Sequence, residues 1–258
     1  MSLYFSHLNN NNYTIAKNEK IVADTSTEEK YWYCLSVHFL LSLVMIFELS
    51  KINSLANVFL SELRDEHIQK DAMRFRRNLE RLGEFFAFEI SKTLEYEPTE
   101  TQTPLGIAPC VKLKQQPVLA TILRAGLPLH QGLLNIFDQA ESAFIAAYRT
   151  NHKSGKLEIR MEYVASPDLT DRVVIMADPM LATGLSMVLC CKELIRKYKL
   201  RELHIVSAIA STEGIRHVRA NLPKAKLWIG AIDEEMTSKA YIVPGLGDAG
   251  DLAYGLKQ

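Results

Sequence analysis

Val173-Val174-Ile175-Met176-Ala177-Asp178-Pro179-Met180-Leu181-Ala182-Thr183-Gly184-Leu185-Ser186 is the stretch from which the chain is read. Val173–Ala177 is apolar and largely β-branched, follows the charged pair Asp171-Arg172, and is too short for a helix. It reads as a buried parallel strand. From Ser186 to Ile195 the spacing becomes helical. A strand, a turn of small residues and a helix start aim backbone N–H groups and the positive end of the helix dipole at a phosphate. Asp178, at the strand's carboxyl end, is well placed to meet sugar hydroxyls. No Gly-Lys-Ser/Thr tail follows, which argues against a nucleoside-triphosphatase loop. An ordinary strand-to-helix connection is the competing reading of this stretch alone.

Working outward, Val118–Leu123 reads as a strand and Leu127–Phe137 as a helix. Ala143–Tyr148 is the next strand, and the alternation in Lys156–Tyr163 suits a β-hairpin arm around Ser154-Gly155. After Val173–Ala177 come a helix over Leu185–Tyr198, a strand over Leu203–Ala210, a helix over Gly214–Asn221 and a strand over Leu227–Ala231. This alternation predicts an α/β, doubly wound, mainly parallel sheet of about five strands with flanking helices, its ligands beyond the carboxyl ends of the strands. Towards the amino terminus, apolar residues at Ile68, Ala72, Phe75, Leu79, Leu82, Phe86 and Ile90 mark long amphipathic helical structure over Leu63–Leu94. Gly83 is a candidate break that would divide it into two helices. Arg74, Arg77 and Arg81 share the opposite face, read as a solvated or subunit-facing stripe rather than a polyanion site. Glu97–Pro117, with its prolines and threonines, reads as an irregular connection.

Two further segments lie at the same ends: Leu123-Arg124-Ala125-Gly126 and Tyr241-Ile242-Val243-Pro244-Gly245-Leu246-Gly247-Asp248-Ala249-Gly250-Asp251. Together with Asp178–Ser186, from about Asn53 to the end of the chain, they resemble the uracil phosphoribosyltransferases of the type I phosphoribosyltransferase fold. The resemblance implies that uracil and 5-phosphoribosyl 1-pyrophosphate (PRPP) are converted to UMP and pyrophosphate in pyrimidine salvage, with Mg²⁺ held mainly through PRPP. It implies catalytic roles for Asp178, Arg124 and Arg149. PRPP would be bound by those three with Pro179, Met180, Leu181, Ala182, Thr183, Gly184, Leu185, Ser186 and Asp248. Uracil would be bound by Ile242, Gly247, Asp248 and Ala249 in a carboxyl-terminal hood, largely through the main chain. Leu185 stands where many family members have a second glycine, which removes freedom at positive φ and keeps the N–H donor. Ala125-Gly126 is expected to let pyrophosphate approach the main chain. The 150–165 arm resembles a segment covering the active site in relatives, and its contacts stay unassigned. His130 is expected to have a plain helix-surface role.

The implied organisation is one phosphoribosyltransferase domain over 45–258, with amino-terminal helices at 45–97, the α/β core at 117–231 and the base-binding hood at 232–258. Residues 9–12 are consecutive asparagines, and Met1–Lys30 lacks an apolar period, so 1–44 is expected to be a disordered or non-native extension. Tyr31–Phe47 is an uncharged run of borderline length for a membrane span, diluted by Ser36, His38 and Ser42 and without a convincing cleavage signal. Translation starting at Met45 is the preferred reading of this region.

The 258 residues carry 30 basic and 30 acidic side chains, so charge balance implies neither nucleic acid nor a membrane as partner. Cys34, Cys110, Cys190 and Cys191 show no zinc or disulfide spacing and point to a reducing cytoplasm. A homo-oligomer is expected from the family. Three rival readings stand beside the leading one: a uracil-nucleotide-sensing RNA-binding regulator on the same fold, a catalytically silent binding protein, and a transferase for another base.

Overall fold

Short β-branched runs with charged boundaries build the sheet at the centre of the computed structural model, which describes residues 46–151 and 157–256, with side chains outside 148–162. In chain order the elements are β1 (Ile46–Glu48), α1 (Leu55–Arg64), α2 (Ala72–Ser91), β2 (Tyr96–Thr103), β3 (Gly106–Leu113), β4 (Val118–Leu123), α3 (Leu127–Ile136), β5 (Glu141–Asn151), β6 (Leu157–Ala165) and β7 (Val173–Ala177). They continue with β8 (Met180–Leu181), α4 (Leu185–Lys197), β9 (Glu202–Ser211), α5 (Thr212–Asn221), β10 (Lys226–Asp233), β11 (Glu235–Met236), β12 (Ile242–Val243) and α6 (Ala249–Tyr254).

The main sheet has the order β1-β10-β9-β7-β4-β5-β6, with β8 beside β9. All its pairs are parallel except β5 with β6. The expected doubly wound, mainly parallel sheet is present with eight strands rather than about five. The additions are β6, half of the expected arm, and β1 and β8, whose three and two residues are too short to carry a pattern. From β4 the chain passes to β5 on one side and then returns to β7 on the other. The order therefore reverses at the β4–β7 pair, where open α/β sheets leave a crevice beyond the strand ends.

Alternate strand residues bury into two layers. Leu119, Ile175, Val206 and Trp228 pack with Leu63, Phe86 and Leu129 of α1, α2 and α3. Val118, Ala120, Met176 and Ile205 pack with Met187, Leu194 and Val218 of α4 and α5. Burial on both faces is why these strands read as continuous apolar runs. The end of the uncharged 31–47 run belongs to the sheet: Ile46 and Phe47 pair with Leu227 and Trp228, and the Phe47 ring lies 5.2 Å from that of Trp228. The remainder of that run, the asparagine tract and Met45 lie outside the described residues. No helix among the described residues is long and apolar enough to cross a membrane.

Three expectations need correction. The helical stretch divides at 65–71, not at Gly83. Ser54 caps α1 by accepting from the Ala56 N–H, and Asp71 caps α2 by accepting from the Met73 and Arg74 N–H groups. Gly83 lies inside α2 because α3 crosses there in backbone contact. A Cβ on Gly83 would stand 2.3 Å from the Leu129 carbonyl oxygen, and one on Gly132 1.8 Å from that of Glu80. Second, 97–117 contains the β2–β3 hairpin, paired from Tyr96↔Leu113 to Thr103↔Gly106. Both its faces are largely exposed, so no one-sided apolar alternation marks it, and Pro98 and Pro109 sit where a two-stranded ribbon tolerates a missing donor. Third, His130 is buried, its Nε2 3.1 Å from Ser142 Oγ and its ring 5.3 Å from that of Phe144. The arginine stripe is engaged within the helices. Arg74 forks onto Glu62, Arg77 pairs with Glu80, and Arg81 donates to Asn78 Oδ1 while covering the Phe59 ring.

Alanine normally favours a helix interior over glycine by about 1 kcal/mol. At Gly132 the clash with the Glu80 carbonyl outweighs that preference, so Gly132→Ala should lose about 1–3 kcal/mol in urea unfolding; an unchanged or raised midpoint would contradict the crossing. Burial lowers the pKa of both His130 and His204. The unfolded chain therefore takes up protons near pH ~6.5 that the folded chain resists. This stability is full above that pH and is lost as pH falls towards the folded-state values. The urea midpoint should drop between pH 7.5 and 5.5, and a rise over that interval would refute the reading.

Candidate active site

Arg124 and Asp178 are brought together by register. β4 pairs with β7 through Thr121↔Ala177, so the residues that follow each strand emerge at one edge. The Thr121 hydroxyl donates to the Ala177 carbonyl (3.2 Å) and ties these ends together. Gly126 belongs to the same junction. A Cβ there would stand 2.1 Å from Thr121 Oγ1 and 2.9 Å from the Ala177 carbonyl oxygen. Its smallness is thus demanded by helix–strand contact, while Ala125 lines the open space the sequence had assigned to both. The Leu123–Arg124 and Val243–Pro244 peptides are cis.

The 178–186 loop is held from behind. β8 runs beside Ile209–Ala210, the Ile209 N–H donates to the Pro179 carbonyl (2.9 Å), and Ser211 Oγ donates to the Ala182 carbonyl (2.6 Å). Ser211 Oγ also accepts from the Gly214 N–H (2.8 Å), so one hydroxyl anchors the loop and caps α5. Gly184 is the N-cap of α4 at φ 74°, and a Cβ there would stand 2.9 Å from the Gly214 carbonyl oxygen. The demand for positive φ falls on Gly184. Leu185 is the first helical residue, where a side chain is acceptable. The Leu185 N–H points to Thr183 Oγ1 at 3.4 Å.

A cavity of about 480 Å³ opens over these strand ends. Among the expected residues, Arg124, Asp178, Met180, Ala182 and Ser186 line it together with Ile242, Gly247, Asp248 and Ala249. Pro179, Leu181, Thr183, Gly184 and Leu185 belong to the loop without lining the cavity, and Pro179 and Leu181 are buried beneath it. Arg149 lies on β5 two residues beyond the cavity-lining Ala147, and its side chain is outside the described ones. The tip of the 150–165 arm, 152–156, is likewise outside them, while its two strands pair as expected.

Arg124 Nη2 lies 3.3 Å from both Asp251 Oδ1 and the Gly255 carbonyl oxygen. Its Nε is buried with no partner among the described residues. Arg124 lines the cavity, where a guanidinium suits an anionic ligand. Asp248 lines the cavity and also caps α6, its Oδ1 accepting from the Asp251 N–H at 3.0 Å. Lys239, Ala240 and Tyr241 also line the cavity; Lys239 and Ala240 lie outside the sequence motifs, and within the 241–251 motif Tyr241 and Asp251 carry no expected role. Ala240 is at φ 62°, in a turn closed by Thr237 N–H to Tyr241 carbonyl (2.8 Å) and Ala240 N–H to Thr237 carbonyl (2.9 Å). A non-glycine at positive φ gives no sequence signal.

The cavity offers two carboxylates, two cations and a run of main chain. Neither thiol of the Cys190-Cys191 pair is reactive: burial and then the Asp178 charge push the Cys190 thiol up to about 12, and burial raises that of Cys191.

The family model described as uracil phosphoribosyltransferase matches residues 52–255. A Porphyromonas gingivalis protein named uracil phosphoribosyltransferase is 50% identical over 213 residues, covering 82% of this chain and 99% of that one. A protein of the same name from Thermococcus gammatolerans is 39% identical over 201 residues, covering 76% and 87%. Among solved structures, one of an Aquifex aeolicus protein aligns with a TM-score of 0.74 at 30% identity, covering 82% of this chain and 99% of the other. A family match across most of the chain, a shared fold and a cavity joining all three sequence motifs have one meaning: this chain belongs to the uracil phosphoribosyltransferase family.

Proposed function

We propose that the chain transfers the phosphoribosyl group of PRPP to uracil, forming UMP and releasing pyrophosphate in pyrimidine salvage. The observation that carries this is that residues of the 178–186 loop and of the 242–249 segment line one cavity. In this reading one nucleotide occupies the cavity, with its phosphate at a helix start and its base at main chain.

Displacement at the anomeric carbon builds positive charge on the sugar while an anionic group leaves, so the protein's work is alignment and charge stabilisation. In this reading the 5′-phosphate rests on the amides of 182–186 with the Thr183 and Ser186 hydroxyls, and the Asp178 carboxylate accepts from the ribose hydroxyls. Arg124 and Arg149 take the pyrophosphate, for which the guanidinium fork is suited. That Arg124 lines the cavity supports its part. Main-chain groups of Ile242, Gly247, Asp248 and Ala249 pair with the uracil edge.

Asp178 and Asp248 both line the cavity. That donor set fits a Mg²⁺ bound mainly by PRPP oxygens and water, with these carboxylates nearby. When bound, it offsets the charge of the departing pyrophosphate.

The domain division is part of the proposal: an extension over 1–44 and one domain over 45–258, with its core at 117–231 and a hood at 232–258. The expected helical segment 45–97 opens instead with a strand and closes into a hairpin. A homo-oligomer is supported by the hairpin's exposed Leu105, Ile107 and Val111, and a cytoplasmic location by the free thiols of Cys110, Cys190 and Cys191.

Purified protein with uracil, PRPP and Mg²⁺ should form UMP. Asp178→Asn and Arg124→Ala should each cost about 10²-fold or more in kcat. Arg124→Lys should recover only part of the loss, because an ammonium cannot fork. A wild type that makes no UMP refutes the assignment. Cytosine presents the opposite polarity at its 4-position and leaves buried main-chain groups unpaired. Its kcat/KM should be about 10⁴-fold below that of uracil, and comparable turnover of the two bases would remove the main-chain recognition account.

A further inference from the structure

An ion pair outside the residues that line the cavity is bound to the turn between Ile242 and Gly247. Arg64, at the carboxyl end of α1, donates from Nη1 to Asp233 Oδ2 and from Nη2 to Asp233 Oδ1, both at 2.8 Å. Asp233 is the last residue of β10, with a side chain only 7% exposed. The same two residues take both main-chain polar groups of Gly245. Arg64 Nη1 donates to its carbonyl oxygen (2.9 Å), and Asp233 Oδ2 accepts from its N–H (2.9 Å).

Gly245 is buried at φ 57°, and a Cβ there would stand 2.2 Å from the Ile242 carbonyl oxygen. It is the pivot of the turn between Ile242 and Gly247, both of which line the cavity. Arg64, Asp233 and Gly245 do not line it. A glycine pivot has the widest backbone freedom of any residue. Here that freedom is removed by two bonds, one from Arg64 and one to Asp233, and two further bonds hold those side chains to each other.

We infer that Arg64 and Asp233 are positioning residues for the base, setting the main chain at 242 and 247 through Gly245. This rests on the proposed assignment of 242–249 to uracil. Base recognition by main chain needs the backbone fixed, since a misplacement of about 1 Å can cost roughly 10²-fold. The pair grips backbone on the base side only, so the phosphate side should not respond to its loss.

The test is a set of variants assayed with each substrate varied in turn, alongside melting temperatures and hydrogen exchange of the 242–250 segment. Arg64→Lys and Asp233→Asn should raise the KM for uracil about tenfold or more, with the KM for PRPP changed less than about threefold. Arg64→Met with Asp233→Leu removes both buried charges and should recover melting temperature towards wild type. It cannot restore the Gly245 bonds, so the uracil KM should stay high and exchange in 242–250 fast. The inference is overturned if the uracil KM recovers along with the melting temperature, or if both KM values rise together. If the double variant does not fold, Arg64→Lys decides by the same split. An inert wild type would refute the site assignment instead. Exchange then decides whether the pair fixes the loop: acceleration in Arg64→Lys upholds the grip, and an unchanged rate overturns it.

Discussion

The parallel pairing of β4 with β7 is the constraint on which the site depends. It places Arg124 and Asp178, 54 positions apart in the sequence, at one edge of the sheet, where the strand order reverses. The pairing is possible because both strands are apolar on both faces and are covered by helices on each side. Small residues then let the connections turn tightly: Gly126 against the strand ends, Gly184 against the Gly214 carbonyl, and Gly214 against the carbonyls of Leu181 and Ala182. The cavity is the space left between these connections and the chain returning at 242–249.

The two sides of the cavity are fixed by different means. The phosphate-loop side is part of the sheet, through β8 and the Ser211 hydroxyl. The 242–249 side is held separately, by the β11–β12 pair, a turn at positive φ, the Asp248 cap and the Arg64–Asp233 pair. A rigid phosphate side and a separately tethered base side suit a reaction in which an unchanging sugar phosphate meets a base that must be distinguished from its analogues.

The strands at 118–123 and 173–177 were legible to the residue because burial on both faces leaves an uninterrupted apolar run between polar boundaries. The loop motifs were legible because turn geometry demands particular small residues. What escaped the sequence was whatever depends on a distant partner. Gly83 reads as a helix break until α3 is seen to cross it, and the β2–β3 hairpin packs too little of either face to show an alternation. Arg64 and Asp233 look like ordinary charges at the ends of elements, since their purpose is visible only when Gly245 lies between them. Lys239 and Tyr241 reach the cavity through a turn whose strained residue is an alanine.

The central claim is that one nucleotide bridges the two sides of this cavity. Its most direct test is a crystal structure of the protein with UMP. The account predicts the 5′-phosphate at the amides of 182–186, the ribose hydroxyls within hydrogen-bonding distance of Asp178, and the uracil edge paired with main chain of 242–249. A nucleotide bound away from the cavity, or one whose base contacts only side chains while the 242–249 main chain stays unpaired, would contradict it.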